Sequence, residues 1–201
     1  MRYVTHSKTT TYDEIIEKQH CMAPSKFPKF NPPNNDQIEY VELEKLITES
    51  KKKKKLENVK YYYYIEIGDI VVDWGGIKYR KNKGYFIPTK PLEVKNGDIL
   101  VSKVRTYRRG IAYVDRNYGN LVSSTAFLLI RSVDPMISKE YSYSILRHDI
   151  LIEQLLALQN RGSYPRLDKN AKASILIPIP KDEKIIKFIT YLRKAIIRKN
   201  R

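Results

Sequence analysis

The chain has 201 residues, enough for one sizeable domain and an appendage, and its 42% of hydrophobic residues predicts a true core. Its formal net charge of +16 predicts a polyanionic partner, most simply nucleic acid, although an acidic membrane surface or a ribosome would attract the same charge. The polar start carries no visible secretory signal, and no apolar run approaches the roughly 18 residues that a membrane span needs. The single cysteine excludes an internal disulfide and predicts a cytoplasmic protein.

The first third of the chain predicts an extended arm followed by short elements. Proline-rich sequence between residues 22 and 35 favours extended backbone, so residues 1–38 are interpreted as an N-terminal arm. Residues 39–47 predict a short strand and then a helical turn. The lysine run at 51–55 is interpreted as a solvated loop. Two β-prone stretches follow, at 61–67 and 70–74.

A Gly-Asp turn precedes an apolar strand twice, in IEIGDIVV (65–72) and EVKNGDILV (93–101). Glycine supplies the positive φ that such a turn needs, and an aspartate side chain accepts hydrogen bonds from nearby backbone amides. We interpret this as a recurring turn and not as a sequence repeat.

The central stretch, residues 90–131, predicts a sheet that presents a basic loop. Strands are predicted at 99–104, 111–114 and 121–130, with Ser123 and Ser124 bonded to backbone inside the third. The loop between the first two strands is basic and aromatic, and residues 103–109 contain no acid. Its candidate DNA-binding residues are Lys103, Arg105, Tyr107, Arg108 and Arg109.

Two further clusters are candidates for the same surface. One lies in the loop at 77–84 and consists of Lys78, Arg80, Lys81 and Lys83. The other is a polar turn with Arg161, Ser163, Tyr164 and Arg166. Arginine pairs bidentately with guanine edges and also binds phosphates, whereas lysine serves mostly as a phosphate charge. The three clusters together predict a surface that binds double-stranded DNA.

The last third predicts helices around one strand. Asp149 is a candidate N-cap for a helix over 150–159, with Gly162 as its stop. A short strand at 175–180 ends in prolines, and residues 181–201 predict a helix. Its apolar residues recur at three- and four-residue steps and form one stripe: Ile185, Phe188, Ile189, Leu192 and Ile196. This stripe must dock on its own domain or pair with another helix as a coiled coil.

Catalytic signals are weak by comparison. The tetrapeptide at 31–34, NPPN, resembles that of amino-methyltransferases but lacks the aromatic residue that stacks on a flipped base. Asp73, Glu93 and Lys95 have the loose spacing of a metal-dependent nuclease, and that function stays open as an alternative. His20 and Cys21 lack further zinc ligands. A basic RNA-binding module is the other alternative.

The ordered motifs resemble the specificity subunits of type I restriction–modification enzymes. They are GDILVSKVRTYRRGIAYV (97–114), NLVSSTAFLLIR (120–131), SYPRL (163–167) and ILIPIP followed by a basic amphipathic helix (175–201). EYVELEKLI (39–47) is similar to the opening phrase of the family. The match covers one target-recognition domain, residues 39–180, and the start of the spacer helix at 181–201.

The resemblance implies a mixed α/β globule with a curved, mostly antiparallel sheet whose loops enter the major groove. It implies a non-catalytic subunit with no cofactor or metal of its own, which directs a methyltransferase subunit and an endonuclease subunit to a target. S-adenosylmethionine, ATP and magnesium would then belong to those partners. This chain has one recognition domain where the family has two, so a homodimer and a link to a different enzyme architecture both stay open.

Overall fold

The structure is a computed structural model that describes residues 30–57, 60–87, 90–160, 165–168 and 170–199. In these ranges the chain forms twelve short strands and five α-helices. The strands are β1 (Ile38–Glu42), β2 (Ile47–Glu49), β3 (Tyr62–Ile65), β4 (Ile70–Val71), β5 (Gly76–Ile77), β6 (Lys81–Asn82), β7 (Leu92–Glu93), β8 (Ile99–Ser102), β9 (Ile111–Tyr113), β10 (Leu121–Ser123), β11 (Phe127–Val133) and β12 (Leu176–Pro180). The helices are α1 (Leu43–Leu46), α2 (Lys139–Leu146), α3 (Asp149–Ala157), α4 (Ala171–Ser174) and α5 (Glu183–Lys199).

Two four-stranded sheets form the body of the molecule. The first has the order β2-β11-β8-β9 and is antiparallel throughout. The second has the order β6-β3-β10-β7, and within it β3 and β10 run parallel. The fold class predicted from the sequence, mixed α/β with mostly antiparallel strands and a C-terminal helix, is confirmed. The strands belong to separate sheets, however, and not to one curved sheet.

The predicted strand at 121–130 is in fact two strands in different sheets. β10 ends at Ser123 in the second sheet, and β11 begins at Phe127 in the first. Between them Ser124 donates its amide to the Ile65 carbonyl at 2.9 Å, and its hydroxyl accepts from the Ala126 amide at 3.2 Å. The serine hydroxyl stabilises a turn in the middle of an apolar run, which lets one segment contribute to both sheets.

Helices α2 and α3 cover one face of the first sheet. The largest group of buried apolar side chains joins strands β8 and β11 to these helices and includes Ile99, Ile130, Tyr141 and Leu155. Helix α3 begins at Asp149, and the N-cap is His148, whose Nδ1 accepts from the Ile150 amide at 3.3 Å. The prediction of Asp149 as the N-cap was therefore wrong by one residue. Gly162, its predicted stop, lies outside the described residues.

The first and last strands of the globule lie side by side. β1 pairs antiparallel with β12, with Tyr40 opposite Pro178 in the register. The strand and helical turn predicted at 39–47 are confirmed, as is the helix that follows the proline-ended strand. Residues 1–29 of the predicted arm lie outside the described residues.

Both Gly-Asp turns use their aspartate in the same way. The Asp69 carboxylate accepts from the Glu66 amide at 2.9 Å, and the Asp98 carboxylate accepts from the Lys95 amide at 2.7 Å. Each carboxylate therefore accepts a hydrogen bond from the amide three residues before it, as the sequence predicts. Each also forms an ion pair with an arginine, Arg80 in the first turn and Arg131 in the second. The predicted positive φ is present at Gly97, at +81°, but the prediction was wrong for Gly68, which lies in a 3-10 turn.

Candidate nucleic-acid interface

The basic loop at 103–110 connects β8 to β9 and is built on a single 3-10 turn, Thr106–Arg108. Arg105 and Arg109 flank this turn with φ values of +49° and +50°. Left-handed backbone costs a residue other than glycine on the order of 1–3 kcal/mol, and it persists where surrounding contacts hold it. Here Thr106 is buried, and the Gln159 side-chain amide donates to its hydroxyl.

A second segment pairs with this loop and completes its frame. Val104 forms an antiparallel bridge with Arg166, and the Leu167 amide donates to the Lys103 carbonyl at 2.7 Å. Asn160 fixes the same segment, because its side chain accepts from the Arg166 amide at 2.7 Å. The structure therefore brings Arg166 beside the loop as predicted. The other three residues of the predicted polar turn, Arg161, Ser163 and Tyr164, lie outside the described residues.

The loop cations differ in how freely they can reach a ligand. Arg108 is exposed, and its guanidinium lies 5.8 Å from the centre of the Tyr107 ring. The charge of Arg109 is already paired, because its Nη2 lies 2.5 Å from an Asp149 carboxylate oxygen. The expectation that no acid pairs these arginines is thus wrong for Arg109, since the partner comes from a helix 40 residues later. Tyr107 packs partly against the main core.

Lys103 differs from an ordinary surface lysine. Burial lowers the pKa of its ammonium; the Glu49 carboxylate opposes this, and the charges of Lys53, Lys51 and Arg166 lower the pKa further. Several cations therefore crowd around one half-buried lysine. A bound anion would relieve their repulsion, because an opposite charge favours the protonated form.

The second basic loop, residues 77–83, is anchored by the first Gly-Asp turn. The Lys78 amide donates to the Asp69 carbonyl at 2.8 Å, and Arg80 Nε lies 3.0 Å from the Asp69 carboxylate while its side chain stays 66% exposed. The Lys81 ammonium lies 4.8 Å from the centre of the Tyr61 ring. Lys78 and Lys83 are exposed.

The two basic loops adjoin through that turn. Ile67 Cγ2 lies 3.6 Å from the position that a Cβ on Gly110 would occupy. Gly110 closes the first loop, and Ile67 begins the 3-10 turn whose Asp69 holds Arg80. The structure thus places the two basic loops next to each other, and their contribution to one DNA-binding surface stays a prediction.

Helix α2 supplies two functional candidates that the sequence reasoning did not single out. Tyr143 donates its hydroxyl to the carbonyls of Trp74 and Gly75 at 3.1 and 3.0 Å. Arg147 donates to the carbonyls of Ile111, Val72 and Asp73 at 2.9, 2.7 and 3.1 Å. Burial lowers the pKa of Arg147. These contacts fix the 72–75 turn against β9; an unpredicted helix provides them, so the sequence held no signal for them.

The residues of the nuclease alternative do not form a metal centre. The Glu93 carboxylate lies 2.7 Å from the Lys52 ammonium, and this contact is the main cause that lowers its pKa. Asp73 lies in the turn held by Arg147. Across the described ranges, no group of three or more His, Cys, Asp or Glu side chains is arranged to hold a metal ion.

Helix α5 carries apolar residues on two faces. Ile186 is buried and Ile189 packs against the main core, whereas Ile185, Phe188, Leu192 and Ile196 are 46%, 62%, 44% and 43% exposed. The predicted single stripe is therefore divided, and Ile189 belongs to the inner face. Among the described residues, no helix is both long and apolar enough to cross a membrane.

About half of the chain is similar in sequence to a curated protein. No protein-family profile matches the chain. Over 108 residues, 51% of its length, the chain is 29% identical to the specificity subunit of the type I restriction enzyme HindI from Haemophilus influenzae. The chain spans 24% of the length of that relative.

Solved structures of the same kind of subunit are similar to the chain in fold. The HsdS subunit from Thermoanaerobacter tengcongensis matches with a TM-score of 0.64 at 23% identity, over 83% of this chain and 44% of that one. The S subunit of a type I restriction–modification system from M. genitalium matches with a TM-score of 0.52 at 17% identity, over 82% of this chain and 40% of that one. The chain thus spans less than half the length of either structure. In sequence and in fold, it is similar to the specificity subunits of type I restriction–modification enzymes, and it has the fold of one of their target-recognition domains.

Proposed function

We propose that this chain is a non-catalytic specificity subunit that binds a defined double-stranded DNA sequence and directs partner enzymes to it. The observation that carries the proposal is the loop at 103–109, whose cations project from a sheet and are braced by a second segment through Val104 and Arg166. A fixed loop can read base edges because its side chains start from one position.

We propose that the two loops make different kinds of contact with DNA. Arg108 is exposed at the tip of the first loop and is the best candidate for a bidentate contact with a guanine edge. Lys78, Lys81 and Lys83 surround Arg80 on the second loop and suit phosphate contacts, which position the protein without reading sequence. Arg109 would have to leave Asp149 before it could bind DNA.

The outer face of α5 is the proposed contact with partner subunits. Ile185, Phe188 and Leu192 follow one another at steps of three and four residues, the spacing of a helix that pairs with another helix. The partner would be the methyltransferase assembly, the matching helix of a second half, or a second copy of this chain. A homodimer would require a gapped palindromic target, because two-fold protein symmetry imposes matching half-sites.

The proposal assigns the chemistry to those partners. A methyltransferase subunit would bind S-adenosylmethionine, and an endonuclease subunit would use ATP and magnesium. The complex would act in the cytoplasm, where the host DNA is modified. The RNA-binding alternative keeps the same basic surface and differs in its ligand.

Selection from a randomised duplex library tests the proposal. The chain is incubated with the library alone and together with its methyltransferase partner, and the bound DNA is sequenced. We expect one enriched motif, lost or relaxed at a single position in the variant Arg108→Ala. No enrichment in either sample would overturn the proposal. Cleavage of plasmid by the chain alone with Mg²⁺ would favour the nuclease, and preference for structured RNA would favour the RNA-binding module.

A further inference from the structure

The lysine run at 51–55 is an ordered edge segment in the structure, although its sequence predicts a solvated loop. The Ser50 amide donates to the Leu129 carbonyl at 2.8 Å, which ties the start of the segment to the first sheet. The Glu93 amide donates to the Lys52 carbonyl at 2.9 Å, and Lys53 forms an antiparallel bridge with Leu92. The segment therefore runs from one sheet to the outer edge of the other.

Extended backbone divides the run into two sets of side chains, because successive residues of a strand point to opposite faces. Lys52 lies 2.7 Å from the Glu93 carboxylate, and Lys54 lines an open cavity together with Glu93 and Lys95. Lys51 and Lys53 fall in the other set: the Lys51 ammonium lies 3.8 Å from the Glu49 carboxylate, and the charges of both lysines contribute to the lowered pKa of Lys103. Lys51 and Lys53 therefore lie on the side of the basic loop.

The result is a group of five cations linked through the Glu49 carboxylate and Lys103. Glu49 lies 2.5 Å from the Lys172 ammonium and 3.8 Å from that of Lys51. Lys53, Lys103 and Arg166 complete the group, which we name the Glu49 cluster. A single carboxylate cannot neutralise five cations, so the cluster is strongly positive, and Lys51 keeps 79% of its side chain exposed.

We infer that the Glu49 cluster is a phosphate-binding site for the backbone of duplex DNA, with Lys51 and Lys53 as exposed contacts and Lys103 as the half-buried anchor beside the basic loop. The inference rests on the proposed function and extends it, because Lys51 and Lys53 lie outside both predicted DNA-binding loops. Arg166 belongs to the cluster and also pairs with Val104 of the loop, so a phosphate bound here would position the loop on the duplex.

The double variant Lys51→Ala/Lys53→Ala tests the inference. The matched control is Lys45→Ala/Lys187→Ala, which removes the same amount of charge from two exposed lysines outside the cluster. Lys45 pairs with Glu42, and Lys187 pairs with Glu183. Affinity is measured by filter binding at several salt concentrations, on the selected duplex and on a scrambled duplex. Thermal unfolding followed by circular dichroism confirms that each variant is folded.

We expect the cluster variant to reduce the slope of log affinity against log salt by about 2, since each lysine–phosphate contact contributes about 1. The affinity ratio between selected and scrambled duplex should stay unchanged, and so should the slope of the control. The variant Glu49→Gln should act in the opposite direction, raising affinity and steepening the slope, because it removes the only carboxylate of the cluster.

Other outcomes separate the two proposals. An unchanged slope in the cluster variant, or an equal fall in the control, would overturn the inference. A changed sequence preference would overturn the assignment to the DNA backbone. If the natural chain shows no sequence preference while the slope still falls by about 2, the proposed function fails and the phosphate site stands. Tighter binding to structured RNA than to duplex DNA would overturn the choice of partner.

Discussion

Arg131 Nε lies 2.8 Å from an Asp98 carboxylate oxygen, and the Asp98 side chain has no solvent exposure. The same arginine donates from Nη2 to the Glu93 carbonyl at 2.9 Å. This pair fixes the second Gly-Asp turn against β11. Strand β8, which leads into the basic loop, begins directly after that turn and is positioned by it. Asp69 and Arg80 form the same arrangement in the first turn, except that Arg80 is 66% exposed.

The variant Arg131→Met should lower the free energy of unfolding by about 3 kcal/mol, because it leaves a buried carboxylate without its cation. Urea unfolding measures the effect. The control Arg80→Met should cost less than about 1 kcal/mol, since water can replace an exposed guanidinium. Equal costs for both variants would show that burial of the arginine does not decide the strength of these pairs.

The loss of unfolding free energy caused by Arg131→Met should also depend on pH. Burial raises the pKa of Asp98, and the Lys95 amide and Arg131 oppose that rise. Without Arg131 the pKa should be higher still. A carboxyl with a raised pKa in the folded state stabilises the fold at acid pH and loses that contribution as the pH rises through the folded-state value. The difference from the natural chain should therefore shrink as pH falls from about 8 to about 4.

The Arg109–Asp149 pair predicts effects of unequal size for two neighbouring arginines. Arg108→Ala should weaken binding to the selected duplex by about 1–3 kcal/mol because it removes a base-edge contact, whereas Arg109→Ala should weaken it less because Asp149 already neutralises that charge. Asp149→Asn should raise duplex affinity by freeing Arg109. Filter binding of all three variants gives the comparison, and a larger loss in Arg109→Ala than in Arg108→Ala would contradict it.

Lys103 should give duplex binding an unusual sensitivity to alkaline pH. Because burial and neighbouring cations hold the pKa of its ammonium below the ordinary lysine value, it should lose its charge before other lysines as the pH rises. The variant Lys103→Arg should keep its affinity at pH values where the natural chain loses it. Parallel titrations from about pH 7 to about pH 10 test this, and identical profiles would contradict it.

The two faces of α5 should respond differently to the same kind of substitution. Ile186→Asp places a charge in the core and should lower the melting temperature by roughly 10 °C. Phe188→Asp changes a side chain that is 62% exposed, so the domain should keep its stability while association with a partner helix or a second copy is lost. Sedimentation with and without the partner measures association. Unaltered association in Phe188→Asp would exclude the outer face as the contact.

Local signals in the sequence predicted local structure well. The structure confirms the strand and helical turn at 39–47, the C-terminal helix and the closure of both Gly-Asp turns by their aspartates, although of the two turn glycines only Gly97 has the predicted positive φ. Features that depend on distant partners could not be predicted in the same way. The sequence predicts one strand over residues 121–130, and only pairing with distant strands shows that this stretch contributes to two sheets.

The candidate site follows the same division. The sequence identified the candidate cations of both loops. It could not show that Arg109 forms an ion pair with Asp149 of α3. It also could not show that Lys51 and Lys53 lie near Lys103, which depends on the bonds of their segment to β11 and β7. Ile189 fits the outer stripe by spacing, yet a second apolar face of α5 packs it inward. Charge and periodicity thus identify candidate residues, and tertiary pairing decides what each one contacts.

The pairing of β1 with β12 places the points where the chain enters and leaves the globule next to each other. A unit joined to its surroundings through one narrow neck can be transplanted between host chains with little strain on the flanking backbone. Recombination at that neck would exchange the whole reading surface in a single event and keep the helix that follows, provided that the new unit offers Ile186 and Ile189 the same apolar surface. A lineage could acquire a new target in this way faster than by changing the loop arginines one at a time.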